Sequence, residues 1–378
     1  MRIAHVTDFY LPRLGGIEMH VADLAAQQRD QGHDVQVITS TPGESGDGIV
    51  RTGAGPHGAH LLNPRGLRQG VRAAAGGFDV VHVHAGIGSP LAFLTARSAA
   101  RAGVPTLLTM HSVLEGYEGL FALLDRLGGW SSLPITWTAV SECAARPLRQ
   151  ALGDVPVHVL PNGIHQARWR FPRTGSVSGA GGPRTVTAVA VMRLTARKRP
   201  VPLLQVVRHA RGMLGADVDL RLVVAGDGPR RAQMERYLRR HRMTEAVQLL
   251  GRLDRPAVQR LLGGADLFIA PANLESFGIA ALEARCAGLP VIAKRTGGIG
   301  EFIRDGHEGV LCDQDRDLAE ALARLSLDAS TREAMAAHNR TAPCQVDWHV
   351  VAERTERLYQ AARQQQQPPA RARSEVSA

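Results

Sequence analysis

FPRTGSVSGAGGPRT, residues 171–185, is the stretch on which the organisation of this chain turns. It is rich in Gly, Ser and Pro, which interrupt helices and strands alike and give a flexible connection. Ahead of it, short apolar runs alternate with helical spacers: IAHVTD (3–8), DVQVITS (34–40), DVVHVH (79–84), PTLLTMH (105–111), ITWTAVS (135–141) and VHVLPNG (157–163). The first spacer, 15–32, carries Ile17, Val21, Leu24 and Ala25 at helical spacing. Behind the Gly/Ser/Pro stretch the alternation restarts, with strand-like runs at 185–194, 219–229, 247–253, 266–272, 289–295 and 309–313. Strands separated by helices form right-handed βαβ units and parallel sheets. The sequence therefore predicts an α/β protein of two doubly wound, Rossmann-like parallel-sheet domains facing across a cleft. The expected domains are 1–170 and 185–345, joined by a linker at 171–184. A terminal helix, 346–364, and a disordered polar tail, 365–378, follow.

Length and composition agree with that organisation. A chain of 378 residues is too long for one ordinary core. Hydrophobic residues make up 44% but aromatics only 4%, so both cores must be built from Val, Leu, Ile and Ala, which suits sheets covered on both faces. The net charge of +10 fits a nucleic acid, an anionic membrane surface or a phosphorylated small molecule. An arginine-rich composition bias explains the same excess. Few aromatics and no recognised module argue against nucleic acid. MRIAHVTDF enters a strand pattern at once, without the features of a signal peptide, and no run of about 18 apolar residues occurs. Cys143, Cys286, Cys312 and Cys344 show no CxxC and read as reduced thiols. The expected location is cytoplasmic, with peripheral contact at the inner face of the membrane as a variant.

Ligands of open parallel sheets sit at the carboxyl ends of strands. ESFGIAALEARCAG (275–288) follows such an end. Glu275 falls in the loop, and Glu283 in the second turn of a helix that starts near Gly278 and stops at Gly288. Amides of Phe277, Gly278 and Ile279 at the helix start are free to donate to phosphates or hydroxyls, and both carboxylates can accept from hydroxyls. Together they suit a polyhydroxylated, phosphorylated ligand such as a sugar nucleotide; alone, Glu275 could be a cap and Glu283 a solvated helix residue. VMRLTARKRP (191–200) places Arg193 at a strand end and Lys198 at a helix start, a diphosphate site that must be set against a merely solvated basic loop. Gly15-Gly16 lets the backbone approach a phosphate. AGDGPRR (225–231) lacks a complete GxGxxG, which disfavours dinucleotides. His82 and His84 share one strand face, but no third ligand stands at a metal-binding spacing, so no metal site is expected. His111, at a strand end, is the better cleft candidate. DQDRD (313–317) reads as helix-capping acids.

These landmarks, in this order over roughly residues 2–362, resemble the family 4 retaining glycosyltransferases of the GT-B fold. They are the Gly-Gly after the first strand, TMH, AVSE, LPNG, MRL with its following Lys, AGDGP, LLGRL and the two-glutamate block running into TGGIGEFI. The resemblance implies that Arg193 and Lys198 hold a donor diphosphate and Glu283 the ribose hydroxyls. It implies that Glu275, with the backbone of Ser276, Phe277 and Gly278, holds the transferred sugar. Gly16 would lie against the phosphates, His111 beside sugar and acceptor, and Gly251, Arg252 and Leu253 around the base. The sequence departs from the family pattern at Met192, His165 and Gly300; His165 removes any role for the usual Asp there. DFYLPRLGGIEMHVADLA is similar to the start of enzymes that glycosylate phosphatidylinositol.

The expectation is a metal-independent, retaining transfer from a UDP- or GDP-linked sugar to a hydroxyl of a small molecule, glycan or lipid, with no cofactor. A nucleotide-sugar epimerase of the same fold and a basic nucleic-acid-binding protein are the alternatives. For a lipid acceptor, 63–77 offers Arg65, Arg68 and Arg72 on one helical face with Leu67 and Val71 beside it, and the more acidic 114–130 is the second apolar candidate.

Overall fold

A computed structural model describes residues 1–52, 63–171 and 183–366. The chain divides into two units, Met1–Gly163 together with the chain from Trp348 on, and Ile164–Asp347. Residues 164–170 are thus grouped with the second unit rather than with the first. Of the expected linker, 172–182 lies outside the described residues, as does the expected tail from 367 on.

In the first unit β1 (Arg2–Thr7), β2 (Asp34–Thr39), β3 (Ile49–Arg51), β4 (Val80–Ala85), β5 (Thr106–Met110), β6 (Ile135–Ala139) and β7 (Val157–Val159) form one sheet. Its order is β3-β2-β1-β4-β5-β6-β7, and every pair is parallel. The connecting helices are α1 (Gly16–Asp30), α2 (Pro64–Ala74), α3 (Pro90–Arg101), α4 (Glu118–Gly128) and α5 (Glu142–Leu152). The central strands β4, β5 and β6 are buried at every residue, as expected of strands covered on both faces. The short edge strand β3 escapes sequence reading because its three residues are only half-buried and carry no period. In α2 the buried face is Gly66, Gly70 and Ala74. A Cβ at Gly66 would stand 2.3 Å from the Thr52 carbonyl oxygen and one at Gly70 2.5 Å from Leu91 Cδ1, so only glycine permits this approach.

The second unit repeats the plan. Strands β8 (Arg184–Val191), β9 (Val218–Ala225), β10 (Val247–Gly251), β11 (Leu267–Ala270), β12 (Val291–Lys294) and β13 (Gly309–Cys312) take the order β10-β9-β8-β11-β12-β13, again parallel. Helices α6 (Pro200–Gly212), α7 (Arg231–Arg240), α8 (Arg255–Gly263), α9 (Ile279–Cys286), α10 (Asp315–Leu327) and α11 (Ala329–Thr341) flank them. Val186, Ala188 and Ala190 of β8 interleave with Leu220, Leu222 and Val224 of β9 and with Leu203 and Val207 of α6 in one apolar core. Strand order reverses beside β8, whose neighbours are β9 and β11; loops leaving β8 and β11 therefore diverge to opposite faces and open a crevice at the carboxyl edge.

The last helix, α12 (Trp348–Gln366), belongs to the first unit. It buries Trp348, Val351, Ala352, Thr355, Tyr359 and Ala362, a stripe at helical spacing. None of the four cysteines, all among the described residues, is in a disulfide. Among the described residues no helix is long and apolar enough to cross a membrane.

Candidate functional site

The crevice beside β8 collects most of the residues singled out from sequence. After β8 the chain passes Arg193, which is exposed, and turns through a short 3-10 segment, Ala196–Lys198, before α6 begins at Pro200. Lys198 therefore precedes the helix instead of opening it. Its Nζ lies 2.5 Å from Oε2 of Glu275, in the loop after β11, with the two side chains 23% and 16% exposed. A pair so screened from water holds both charges in place while leaving them open to a ligand.

The loop from 271 to 278 is held from several sides. Arg199, in a left-handed conformation (φ 55°), donates to the Pro271 carbonyl at 3.1 Å and to Asn273 Oδ1 at 3.0 Å. It also grips both oxygens of Asp315 at 2.7 Å. Lys294, 4% exposed, reaches the same carboxylate at 3.0 Å and the Asp313 carbonyl at 3.1 Å. The Arg199 bond, helped by Lys294, pulls the Asp315 carboxyl down to about 2. Within DQDRD, then, Asp317 caps α10 through the amides of Asp313 and Gln314, whereas Asp315 is the ion-pair hub of the site's support, a role its spacing did not reveal. Lys198 and Lys294 are the only two lysines of the chain, whose 45 basic residues are otherwise arginine.

Glycines let the loops come close. The Gly298 amide donates to the Glu275 carbonyl at 2.8 Å. A Cβ at Gly298 would lie 2.4 Å from the Ser276 carbonyl oxygen. Gly278 caps α9 with φ 93°, and a Cβ there would meet Ile299 Cγ1 at 2.4 Å. The first helical donors are Ala281 and Leu282, both to the Gly278 carbonyl. The amides of Phe277, Gly278 and Ile279 accordingly have no acceptor among the described residues and form the helix's anion-attracting end. Glu283 lies half-buried one turn on. At the other side of β8, the Gly226 amide donates to the Gly251 carbonyl at 2.7 Å and the Leu194 amide to the Asp227 carbonyl at 2.9 Å, so the AGDGP loop is stitched to both neighbours. Arg252 and Leu253 continue from that seam, exposed and half-buried respectively.

The first unit places its candidates at the carboxyl edge of its own sheet. Gly16 opens α1, exposed. The Glu18 carboxylate folds back over Gly15, where a Cβ would lie 2.4 Å from Oε2, and pairs with Arg13 Nε at 2.9 Å. Asp8, fully buried, accepts from the Leu91 and Ala92 amides at 3.0 Å each; burial raises its carboxyl to about 6. His111 follows β5, with its amide bound to the Ala85 carbonyl at 2.8 Å and the residue 6% exposed.

His111 is not alone: imidazoles that sequence spacing does not place near His82 and His84 come to them from other elements. Strand register sets His5 beside His82 in the ladder, and His20 comes in from α1. His5, His82 and His84 form one set whose ring nitrogens lie within 4.8 Å of one another; His20, His84 and His111 form another. Sequence spacing could not show this, because the partners come from β1, α1, β4 and β5. Burial lowers all five: His5 and His20 to about 4, and His82, His84 and His111 well below the usual imidazole range.

Comparison with known proteins accords with this geometry. Residues 14–168 match the family model described as Glycosyltransferase Family 4, and residues 183–342 the one described as Glycosyl transferases group 1. A glycogen synthase of Mycobacterium tuberculosis is 28% identical over 424 residues, covering 98% of this chain and 97% of that protein. A phosphatidyl-myo-inositol mannosyltransferase of Mycobacterium leprae is 29% identical over 381 residues, covering 95% and 96%. Among solved structures, Anabaena HepE in complex with UDP and glucose superposes with a TM-score of 0.74 at 18% identity, covering 95% of this chain and 99% of that one. Two parallel-sheet α/β units with these matches define a glycosyltransferase of the GT-B architecture. The chain belongs to the family 4, or group 1, glycosyltransferases.

Proposed function

We propose that the protein moves a sugar from a nucleotide-diphosphate sugar, UDP- or GDP-linked, to a hydroxyl acceptor with retention of anomeric configuration. The observation that carries this reading is the Lys198–Glu275 pair at the crevice beside β8, next to the open amides of α9. In the ligand-free protein Glu275 neutralises Lys198. An incoming diphosphate takes over the Lys198 ammonium, with Arg193 as the second cation, and releases Glu275 to accept from hydroxyls of the sugar. Phe277 and Gly278 present their amides to the same group, and the backbone of Ser276 lines it. Glu283 takes the ribose hydroxyls, while Gly251, Arg252 and Leu253 flank the base. In the first unit, the residues assigned to substrate are Gly16, toward phosphate, and His111, toward sugar and acceptor.

As the glycosidic bond breaks, negative charge collects on the diphosphate. Lys198, held beside Glu275, and the exposed Arg193 supply positive charge there, and such charge is the largest catalytic term available here. The leaving phosphate oxygen takes the acceptor proton on the same face, so no side chain need form a covalent intermediate. Because the cations do the work of a metal, activity is expected to persist in EDTA.

The test is incubation with UDP- and GDP-sugars and a panel of hydroxyl acceptors, with the anomeric configuration of the product read by NMR. An inverted product overturns retention. Binding of a nucleotide sugar with no transfer and with interconversion of the sugar itself would favour the epimerase.

A lipid acceptor gains support from α4. Tyr117, Leu120, Leu123, Leu124 and Leu127 are 47–75% exposed and stand on one side of the helix at spacings of three and four. In α2, by contrast, Arg65, Arg68 and Arg72 are exposed but Leu67 and Val71 are half-buried. The apolar contribution to a membrane contact is therefore assigned to α4 and the basic one to α2.

A further inference from the structure

Four of the five buried histidines, His5, His82, His84 and His111, are joined into one hydrogen-bonded chain, and its direction can be read from its ends. His111 Nε2 lies 3.1 Å from His84 Nδ1, His84 Nε2 lies 2.9 Å from His5 Nδ1, and His5 Nε2 lies 2.6 Å from Gln28 Oε1. Gln28 Nε2 donates to the Tyr359 hydroxyl at 3.0 Å. That hydroxyl lies 2.8 Å from His82 Nδ1, and His82 Nε2 lies 2.7 Å from Thr109 Oγ1. Thr109 and Thr138 share a 2.6 Å bond, and the Thr138 hydroxyl donates to the Leu108 carbonyl at 3.2 Å.

Only one proton order satisfies every one of these bonds. A carbonyl oxygen can only accept, so the single Thr138 proton goes to Leu108. Thr109 must then donate to Thr138, and His82 Nε2–H to Thr109. His82 Nδ1 is left as an acceptor for the Tyr359 proton, and Tyr359 accepts from the Gln28 amide. The Gln28 carbonyl accepts from His5 Nε2–H, His5 Nδ1 from His84 Nε2–H, and His84 Nδ1 from His111 Nε2–H. The reversed order loses the Thr138–Leu108 bond. Both nitrogens of His5, His82 and His84 are engaged, so neither histidine triad can take a cation without breaking this chain. The low basicity of these four rings keeps them neutral, as each such bond requires.

We infer that Gln28, Tyr359, His5, His82 and His84 are positioning residues that hold His111 as its Nε2–H tautomer, with the Nδ1 lone pair unprotonated and open. Among the described residues His111 Nδ1 has no partner. Resting on the reading of His111 as a substrate residue, the lone pair is an acceptor for a substrate hydroxyl, and His111 does not donate there. The device spans β1, β4, β5, β6, α1 and α12, so the terminal helix takes part in fixing a proton more than 200 residues upstream in the chain.

The test is long-range proton–nitrogen NMR of 15N-histidine-labelled protein near neutral pH, without nucleotide sugar. His5, His82, His84 and His111 are expected as Nε2–H. Tyr359→Phe removes one oxygen on the far arm and frees the Gln28 amide to turn. It should mix the tautomers of His5, His84 and His111 although it touches none of them. Thr138→Val, at the anchoring end, should do the same and carries the test if the tyrosine variant does not fold. In transfer assays either variant should lose turnover by roughly tenfold or more at unchanged donor KM, the scale of a misplaced proton-handling group. His111 found as Nδ1–H, or unchanged tautomers in both variants, overturns the inference. Absence of any transfer with the expected tautomers present would instead overturn the transferase chemistry and leave the proton order standing.

Discussion

Lys198 Nζ and Glu275 Oε2, 2.5 Å apart, tie the loop after β8 to the loop after β11 at the point where strand order reverses. If Lys198 is the main counter-charge to the leaving diphosphate, Lys198→Ala should lower turnover by roughly two to three orders of magnitude, and Arg193→Ala likewise. Arg193 is exposed and Lys198 half-buried, so the fold should survive, as circular dichroism would show. Near-normal turnover in both variants removes the diphosphate assignment.

If Glu283 takes the ribose hydroxyls as proposed, Glu283→Ala should weaken donor binding by about ten- to a hundredfold with little change in kcat, because such contacts would be made before and during transfer alike. Glu275→Ala should act mainly on kcat. Titration calorimetry with donor, beside steady-state kinetics, separates the two; equal effects of both changes on kcat alone would contradict the division of roles.

Gly278→Ala meets two penalties, the left-handed backbone (φ 93°) and the 2.4 Å contact with Ile299. A loss of about 1–3 kcal/mol is expected from the backbone alone. In an Ile299→Ala background the contact is relieved but the φ is not, so part of the loss should remain. Full recovery of thermal stability in the double variant would show that space, not backbone conformation, fixes this glycine.

Acid should unfold the first unit early. His5 and His20 fall from 6.5 to about 4 in the folded state, and His82, His84 and His111 are also well lowered. The unfolded chain therefore binds more protons than the folded one below pH 6.5. Stability is fully present above that pH and is lost as pH falls toward 4. Each histidine contributes a slope of up to about 1.4 kcal/mol per pH unit. Urea midpoints between pH 7.5 and 5 should drop steeply, and a flat profile would mean that these rings are not buried neutral.

For the membrane contact, vesicle co-sedimentation of two triple variants is informative. Leu120, Leu123 and Leu127 changed to Ser should abolish binding to anionic vesicles, and Arg65, Arg68 and Arg72 changed to Glu should abolish it as well, by replacing attraction with like-charge repulsion. No binding of the unaltered protein at low salt leaves a soluble acceptor.

The two parallel sheets were legible because Val, Ile, Leu and Ala cluster in short runs between helical spacers; β8 to β13 begin and end close to their expected limits. The pairing of Lys198 with Glu275 was within reach because both lie in loops that follow neighbouring strands, and strand ends converge in a parallel sheet. What escaped depends on register and tertiary packing. His5 meets His82 only because β1 and β4 are neighbours in the sheet, although 77 residues separate them in sequence. Gln28 meets Tyr359 only because α12 belongs to the first unit. Asp315 looked like a cap because its partners, Arg199 and Lys294, come from distant loops.

The scarcity of lysine gives the chain an unplanned reporter. With Lys294 4% exposed and held by Asp315, the side-chain amine open to acylating reagents is that of Lys198, 23% exposed beside Glu275. Apart from the terminal amine of Met1, a mild amine-reactive label would thus mark a single position. If a donor diphosphate seats on that ammonium as proposed, it shields it, and the extent of labelling in a mass spectrum becomes a direct count of occupied donor sites, readable for any nucleotide sugar without an acceptor, a coupled enzyme or a radioactive tracer.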